Sequence, residues 1–172
     1  VLDVGCGDGM LTRQFAARGG TAVGIDLDEH SIGLARNQTP ATNVRFILGD
    51  AMTHPFEPES FDAVVSVATM HHLETGPALR RFVDLLRPGG VLGVVGLARV
   101  GTPSDLAYNA AGMVATRVLT RRHGRWDHSS PVVWPPPDTY RQVRRTAAAL
   151  LPGCTFRRRV LWRYTLVWAE PA

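Results

Sequence analysis

An aspartate and three glycines at the start of the chain are the residues best suited to chemistry. Asp3, Gly5, Gly7 and Gly9 occupy every second position of VLDVGCGDGM. Glycine has no Cβ and tolerates positive φ, so the backbone can turn sharply here and approach a bound molecule closely. A glycine turn between a first strand and its helix is where α/β sheets bind nucleotides. The stretch therefore predicts a site for a nucleotide-like ligand.

The spacing of these glycines differs from the dinucleotide fingerprint G-x-G-x-x-G. Gly5 and Gly7 match its first two positions, but the third position falls on Met10, and Gly9 comes one residue early. The difference disfavours a nicotinamide-dependent dehydrogenase, which is left only as an analogy at the level of the fold.

The elements that must position these residues follow a regular alternation of apolar runs and helical patterns. Strands are predicted at residues 1–4, 21–26, 44–50, 61–68 and 91–98. Helices are predicted at residues 10–18 and 29–37, and a third carries Leu79, Phe82, Val83 and Leu86 on one face until Pro88-Gly89-Gly90 stops it. Such alternation predicts right-handed βαβ units and a parallel sheet covered on both faces.

The rhythm changes after residue 98. Apolar residues from Leu106 to Val118 predict a longer amphipathic helix, and residues 121–137 form a loop rich in helix breakers. Asp138 is predicted to cap a further helix that carries Tyr140 and Leu150. Two strand-like runs at residues 155–162 and 163–170 are close enough in sequence to pair antiparallel.

The spacing D-x-G-x-G-x-G resembles motif I of the class I S-adenosylmethionine-dependent methyltransferases. Further features follow in that family's order: Asp26 after the second strand, Gly49-Asp50-Ala51 after the third, the fourth-strand region, and LLRPGG before the fifth strand. The resemblance covers about residues 1–98. It implies a Rossmann-like three-layer α/β sandwich with a seven-stranded, mostly parallel sheet in the order 3-2-1-4-5-7-6, strand 7 being antiparallel.

The resemblance also implies a domain organisation. Residues 1–172 are expected to form a single domain, with a cofactor-binding half at 1–98 and substrate-side helices and a terminal strand pair at 99–172. Because a helix usually precedes the first strand in the family and helps to roof the active site, we expect that an upstream segment is missing here.

Specific roles for the cofactor site come from the same resemblance. Asp3 is expected near the amine of the methionine part of S-adenosylmethionine, Asp26 at the ribose hydroxyls, and Asp50 at the adenine amine. Cys6 is most simply a small residue that fits the turn. The full set of expected cofactor-binding residues is Asp3, Gly5, Cys6, Gly7, Gly9, Asp26, Leu27, Asp50, Ala51 and Val67.

The expected reaction moves the sulfonium methyl group to an O, N or C nucleophile and leaves S-adenosylhomocysteine. His71 and His72 are weak candidates for a general base, and the alternative is that they shape the cofactor pocket or cap a helix. Tyr108, Trp126 and His128 could line the acceptor pocket, or belong to an ordinary surface loop with aromatic anchors. No metal is expected, because the sulfonium is already activated.

Charge leaves a second class of acceptor open. Residues 1–99 hold eight Arg against eleven acidic residues, whereas residues 100–172 hold eleven Arg against four. A basic C-terminal half admits an RNA or DNA acceptor, but no nucleic-acid module is present, so a small-molecule acceptor is favoured. A binding protein that keeps the cofactor site without catalysis is a third possibility. The oligomeric state is left open.

Location is inferred from composition. No apolar run approaches the roughly 20 residues of a membrane span. The two cysteines, Cys6 and Cys154, match no disulfide or zinc spacing. The sparse cysteines and a cofactor that is made in the cytoplasm predict a cytoplasmic protein.

Overall fold

Seven strands form one sheet in the order β3-β2-β1-β4-β5-β7-β6 in the computed structural model, which describes residues 1–40, 42–102, 105–124 and 135–171. All neighbouring strands are parallel except the two pairs that β7 makes, with β5 and with β6. The predicted strand order and the antiparallel seventh strand are confirmed. The strands are β1 Leu2–Val4, β2 Ala22–Asp26, β3 Val44–Leu48, β4 Phe61–Val67, β5 Leu86–Leu97, β6 Thr155–Arg158 and β7 Arg163–Ala169.

Five α-helices connect these strands. They are α1 Met10–Ala16, α2 Glu29–Asn37, α3 Thr75–Asp84, α4 Asp105–His123 and α5 Tyr140–Leu150, and a short 3₁₀ turn spans Met70–His72. Successive residues of a strand point to opposite faces of the sheet. Leu2 therefore faces the larger core, which includes Phe82 of α3 and Val143 of α5, and Asp3 faces α1 on the other side. Helices thus cover both faces, as predicted.

A smaller second cluster supports the first half of the sheet beneath the glycine-rich end. Cys6, Ile32, Ala35 and Phe46 are buried together, with Val44 partly buried against them. The side chains come from the turn after β1, from α2 and from β3, so this cluster fixes the turn relative to two neighbouring elements. Burial of each large side chain contributes about 1.5–3 kcal/mol.

The boundary between α3 and β5 differs from the prediction. Leu86 was expected on the helix face, but α3 ends at Asp84 and Leu86 is the first residue of β5, where it pairs with Phe61. The register shifts between Phe61 and Ala63, and Gly89 has φ 77°. Pairing with β4 therefore draws the residues before Gly89 into the sheet despite their helical periodicity.

The cap of α5 is also corrected by the structure. Thr139, not Asp138, is the N-cap residue: its Oγ1 accepts a hydrogen bond from the Gln142 amide, and the Gln142 side chain accepts one from the Thr139 amide. This reciprocal pair is a capping box, which a threonine followed three residues later by glutamine favours. Asp138 is consequently free to serve a different contact, described below.

Two of the expected acceptor-pocket residues, Trp126 and His128, lie outside the described residues. Among the helices that the structure does describe, we find none with the length and apolar character required to cross a bilayer.

Candidate active site

The turn after β1 folds back onto the end of β2. The amides of Gly5 and Cys6 both donate to the Ile25 carbonyl oxygen, at 2.9 and 3.2 Å, and the Gly9 amide donates to the Cys6 carbonyl oxygen at 3.0 Å. The first turn of α1 begins immediately afterwards, with Gly9 as its N-cap. The backbone of residues 5–9 is thereby fixed at the carboxyl edge of the parallel sheet.

The three glycines of this turn all have positive φ, but the space around them differs. A Cβ at Gly5 would overlap the Thr69 side chain, and a Cβ at Gly9 would overlap the Phe46 ring. A Cβ at Gly7 would have no heavy atom within 4 Å. Gly5 and Gly9 therefore allow close packing within the protein, whereas Gly7 leaves open space beside its backbone.

Asp26 connects this turn to the end of β2. Its Oδ2 accepts from the Gly7 amide at 2.8 Å, and its Oδ1 accepts from the Asp28 amide at 3.0 Å. The side chain is half-buried. Because an ionised carboxylate offers about four acceptor positions, each Asp26 oxygen can accept a further hydrogen bond from a ligand.

Asp3 lies beneath the turn and only 2% of its surface is exposed. Its Oδ2 accepts from the Thr12 hydroxyl of α1 at 2.6 Å. Burial raises the pKa of this carboxyl from 3.8 to about 6; the Thr12 hydrogen bond opposes the rise, and the charge of Asp26 adds to it. The expected contact of Asp3 with an amine stays a prediction.

The loop after β3 is held against α3. The Asp50 side chain accepts from the Met52 amide at 2.9 Å, and its backbone carbonyl accepts from the His54 amide at 2.8 Å. The Arg81 guanidinium donates to the Ala51 and His54 carbonyl oxygens, at 3.4 and 2.6 Å. Asp50 is thereby fixed directly after β3 at the carboxyl edge of the sheet, and its contact with adenine stays a prediction.

Exposed apolar side chains accompany these polar groups at the carboxyl ends of the strands. Leu27 follows β2 and is 71% exposed, Leu48 ends β3 and is 44% exposed, and Val67 ends β4 and is 38% exposed. Apolar surfaces beside a few fixed polar groups are typical of small-molecule sites. Leu27 and Val67 were expected from the sequence, whereas Leu48 was not.

A strained corner follows β4. Ala68 has φ 58°, a left-handed conformation that is unfavourable for residues with a Cβ, and its amide donates to the Val95 carbonyl oxygen at 2.7 Å. Thr69 then packs directly on Gly5. Sequence reasoning missed Thr69, because nothing in its neighbourhood of the chain indicates a contact 64 residues away.

The two histidines lie in the 3₁₀ turn that follows this corner, with ring centroids 4.1 Å apart. His71 is half-buried and His72 is exposed. Burial, with a smaller effect of His72, lowers the pKa of His71 from 6.5 to about 4. Its buried Nδ1 has no hydrogen-bond partner among the described residues. His71 is therefore neutral at pH 7 and can accept a hydrogen bond.

Two other expected site residues have contacts within the protein. Cys6 is 8% exposed, and burial raises the pKa of its thiol, which keeps it protonated and unreactive. Tyr108 on α4 is 47% exposed, and its ring lies against the guanidinium of Arg158, 4.2 Å from the ring centroid to Cζ. The structure thus places Tyr108 at the end of β6, two strands away from β5.

A sheet of this order, with a glycine turn after β1 and acids after β2 and β3, is the architecture of class I S-adenosylmethionine-dependent methyltransferases. The family model described as "Methyltransferase domain" matches residues 2–94. An uncharacterised methyltransferase of Mycobacterium tuberculosis is 38% identical over 172 residues, covering 99% of this chain and 87% of the relative. The chain belongs to the methyltransferase domain family, and the enzyme class predicted from the sequence is confirmed.

More distant similarities show how broadly the fold is used. A ubiquinone biosynthesis O-methyltransferase of Azorhizobium caulinodans is 32% identical over 130 residues, covering 74% of this chain and 51% of the relative. Haemonchus contortus phosphoethanolamine N-methyltransferase 2, solved with phosphomonomethylethanolamine and S-adenosylhomocysteine, has a TM-score of 0.71 at 17% identity, covering 99% of this chain and 48% of that one. The [4+2]-cyclase SpnF has a TM-score of 0.65 at 18% identity, covering 99% and 75%. The fold alone therefore does not determine the acceptor.

Proposed function

We propose that this methyltransferase transfers a methyl group from S-adenosylmethionine to an O, N or C nucleophile of a small-molecule acceptor. The observation that carries the proposal is the pair formed by Gly7 and Asp26: an open backbone position lies beside a carboxylate that has two remaining acceptor positions. A ligand that presents hydroxyl donors on a flat, partly apolar body fits this arrangement.

The residues at the sheet edge fit the parts of S-adenosylmethionine one by one. Gly7 allows close approach, Asp26 can accept from the ribose hydroxyls, and the exposed Leu27 and Val67 can cover the adenine ring and the sulfonium region. Asp50 can accept from the adenine amine. When bound, the cofactor supplies an activated methyl group on its sulfonium, so the protein has mainly to align the acceptor and exclude water.

Asp3 is proposed to act on the ligand through its negative charge, because its buried carboxyl has little surface for direct contact. Its carboxyl is buried beneath the turn with Thr12, and a cationic ligand group above the turn would favour the ionised form. Asp3 is therefore proposed to act on the amine of the methionine part electrostatically or through a bridging water.

His71 is the better of the two histidine candidates for contact with the acceptor. A neutral imidazole has one acceptor nitrogen, which can accept a hydrogen bond from a hydroxyl or amine and so orient the nucleophile. A pKa of about 4 makes His71 a weak base at pH 7. Its proposed role is therefore orientation more than proton removal.

A small acceptor is favoured over a nucleic acid by the arrangement of the arginines. Arg158 points towards two tyrosine rings on one face of β6, whereas Arg157, its neighbour in the strand, faces the other side of the sheet. Two of the similar proteins have names that state a small molecule. One is a ubiquinone biosynthesis O-methyltransferase and the other a phosphoethanolamine N-methyltransferase.

The proposal is tested by calorimetric titration with S-adenosylhomocysteine. Asp26→Ala should weaken binding by about 1–3 kcal/mol, because ligand hydroxyls lose a half-buried carboxyl acceptor. Asp28→Ala is the matched control: Asp28 caps α2 by accepting from the Ser31 amide at 2.9 Å, so its loss should lower helix stability and leave affinity unchanged. Absence of binding by the folded wild-type protein, or equal loss in both variants, would contradict the cofactor assignment.

The acceptor class is tested separately. Cell extract is incubated with the enzyme and S-adenosylmethionine labelled in its methyl group, and is then fractionated into small molecules, protein and nucleic acid. We expect the label in the small-molecule fraction. Label in the nucleic-acid fraction, with binding that falls steeply as salt rises, would instead establish an RNA or DNA acceptor.

A further inference from the structure

The chain between β5 and α5 leaves the sheet and returns to it at one point. We refer to the described residues of this connection, 100–102, 105–124 and 135–138, as the excursion; α4 is its helix. The Arg99 amide donates to the Asp138 carbonyl oxygen at 2.8 Å, and the Tyr140 amide donates to the Arg99 carbonyl oxygen at 3.4 Å. Arg99 and Thr139 form an isolated parallel bridge. These contacts form a narrow hydrogen-bonded neck at the carboxyl end of β5.

The neck is attached to the start of α3. Thr75 is 7% exposed, and its hydroxyl donates to Asp138 Oδ2 at 2.6 Å. Thr75 follows His72 by three residues, and the corner before the histidines contacts Gly5 through Thr69. The neck of the excursion therefore lies beside the segment that carries the proposed acceptor contact.

A second attachment of the excursion lies at the end of β6. The Arg158 guanidinium is stacked between two tyrosine rings, with Cζ 4.2 Å from the centroid of each. Tyr140 belongs to α5 and is 7% exposed, whereas Tyr108 belongs to α4 and is 47% exposed. The Tyr140 ring is thus part of the core, whereas the Tyr108 ring belongs to α4 and contacts Arg158 from outside the core.

Beyond Tyr108 the described part of α4 has little support. Gly112 lies close to Leu161 and Trp162 in the β6–β7 turn. Among the described residues, no other helix or strand packs extensively against α4. Met113, Val114, Val118 and Leu119 are between 44% and 64% exposed. The stack at Tyr108 and the approach of Gly112 to the β6–β7 turn are therefore two described points at which α4 meets the body of the protein.

We infer that Arg158 is a positioning residue that clips α4 to the body of the enzyme through Tyr108 and so fixes the excursion beside the acceptor side of the site. The asymmetry of the stack determines how the clip opens. Tyr140 is buried and stays with Arg158, whereas the half-exposed Tyr108 can separate from it, with the neck at Arg99 and Asp138 as the hinge. The importance of this clip for the acceptor rests on the proposed function.

Hydrogen exchange of the full chain, followed by mass spectrometry, tests the clip directly. Tyr108→Ala should speed amide exchange in residues 109–120 by about fivefold or more, because one cation–π contact is lost. Tyr108→Phe keeps an aromatic ring on the guanidinium and should restore near-wild-type exchange. Arg158→Met, which removes the cation but keeps an apolar side chain of similar length, should again speed exchange in α4.

The same variants separate the clip from the proposed function. S-adenosylhomocysteine affinity should be unchanged in Tyr108→Ala, while methyl transfer to the small-molecule fraction falls and is rescued by Tyr108→Phe. Unchanged exchange of α4 in Tyr108→Ala, a Phe variant as fast as the Ala variant, or equal increases in α4, α5 and β5 would each overturn the inference. If the wild-type protein fails to bind S-adenosylhomocysteine, the proposed function falls, and the exchange experiment still decides the clip.

Discussion

The glycine turn and the excursion leave the same edge of the sheet but are held in different ways. The turn is fixed by backbone amides of Gly5, Cys6 and Gly9 and by the Asp26 carboxylate, all within the first 26 residues. Among the described residues, the contacts that hold the excursion include the Arg99–Thr139 bridge, the Thr75–Asp138 hydrogen bond and the stack that joins Tyr108 to Arg158 across 50 residues of sequence.

This difference explains why one region can be recognised in a sequence and the other cannot. Positive φ and the absence of a Cβ are demands that only glycine meets easily, so the turn limits the residue types at several nearby positions. A stack or a single hydrogen bond between distant elements can be made by many residue pairs. The glycine turn is thus encoded by residue types that are close together in the sequence, whereas the contacts of the excursion join residues that are far apart.

The largest expected effect is on the turn itself. Gly9→Ala should lower the free energy of unfolding by about 2–5 kcal/mol, because the new Cβ overlaps Phe46 and the residue must keep φ 79°. Gly7→Ala meets no neighbouring atom, so it should cost only the conformational strain, about 1–2 kcal/mol. The measurement is urea unfolding of both variants beside the wild type.

Ligand binding should reverse the order of these two variants. Gly7→Ala, which fills the open space beside the proposed cofactor, should weaken S-adenosylhomocysteine binding at least tenfold, about 1.4 kcal/mol. Whatever Gly9→Ala protein folds should keep much of its affinity, since that Cβ faces Phe46 and Ala35. If the two variants lose stability and affinity in the same proportion, the distinction between packing and ligand glycines is wrong.

The next effect concerns the buried carboxyl beneath the turn. Because the pKa of Asp3 is raised to about 6, its protonated form is favoured by folding; this stability is present below pH 4 and is lost as pH rises through 6. Asp3→Asn, which stays neutral, should therefore stabilise the protein at pH 7 by up to about 3 kcal/mol and make little difference at pH 4.

Unfolding curves at a series of pH values from 4 to 8 measure the difference in stability between Asp3→Asn and the wild type. Titration with S-adenosylhomocysteine measures the effect of the substitution on ligand affinity. The same Asn variant should bind the ligand more weakly, because the charge proposed to act on its amine is gone. A difference in stability that does not change with pH would show that Asp3 titrates normally. A stabilised variant with full affinity would remove Asp3 from the proposed site.

Most of the fold could be predicted from the sequence, as could the edge of the sheet at which the candidate cofactor residues lie. The alternation of apolar strands and helical faces determines a parallel doubly covered sheet, and the resemblance of residues 1–98 to a family supplies the strand order. The acids after β2 and β3 lie at the predicted edge because parallel strands place their carboxyl ends together. Their contacts with a cofactor stay predictions.

The features that could not be predicted depend on contacts between distant residues. Leu86 has the right spacing for α3, yet pairing with Phe61 assigns it to β5. Arg158 belongs to a run of three arginines, for which the sequence predicts only that successive side chains point to opposite faces of the sheet. Its two tyrosine partners come from other elements. Periodicity describes one element at a time and contains no information on such partners.

The smallest expected effect tests the neck of the excursion. Thr75→Val keeps the shape of the side chain and removes the hydroxyl that donates to Asp138. Because Asp138 is only half-buried, water can replace part of the lost bond, and we expect a loss of about 1 kcal/mol in the free energy of unfolding.

Hydrogen exchange at the amides of Arg99 and Tyr140 should show the local effect of losing the Thr75–Asp138 hydrogen bond. Urea unfolding reports only the stability of the whole protein. These amides close the neck and should exchange faster in Thr75→Val, while those of Gly5 and Cys6, which fold the glycine turn onto Ile25, stay protected. Thr139→Ala is the matched control: it removes the capping box of α5 and should loosen the first turn of that helix without freeing Asp138 from Thr75. If the amides of the glycine turn loosen together with the neck in Thr75→Val, the two regions form one cooperative unit, and the excursion is not held independently of the turn.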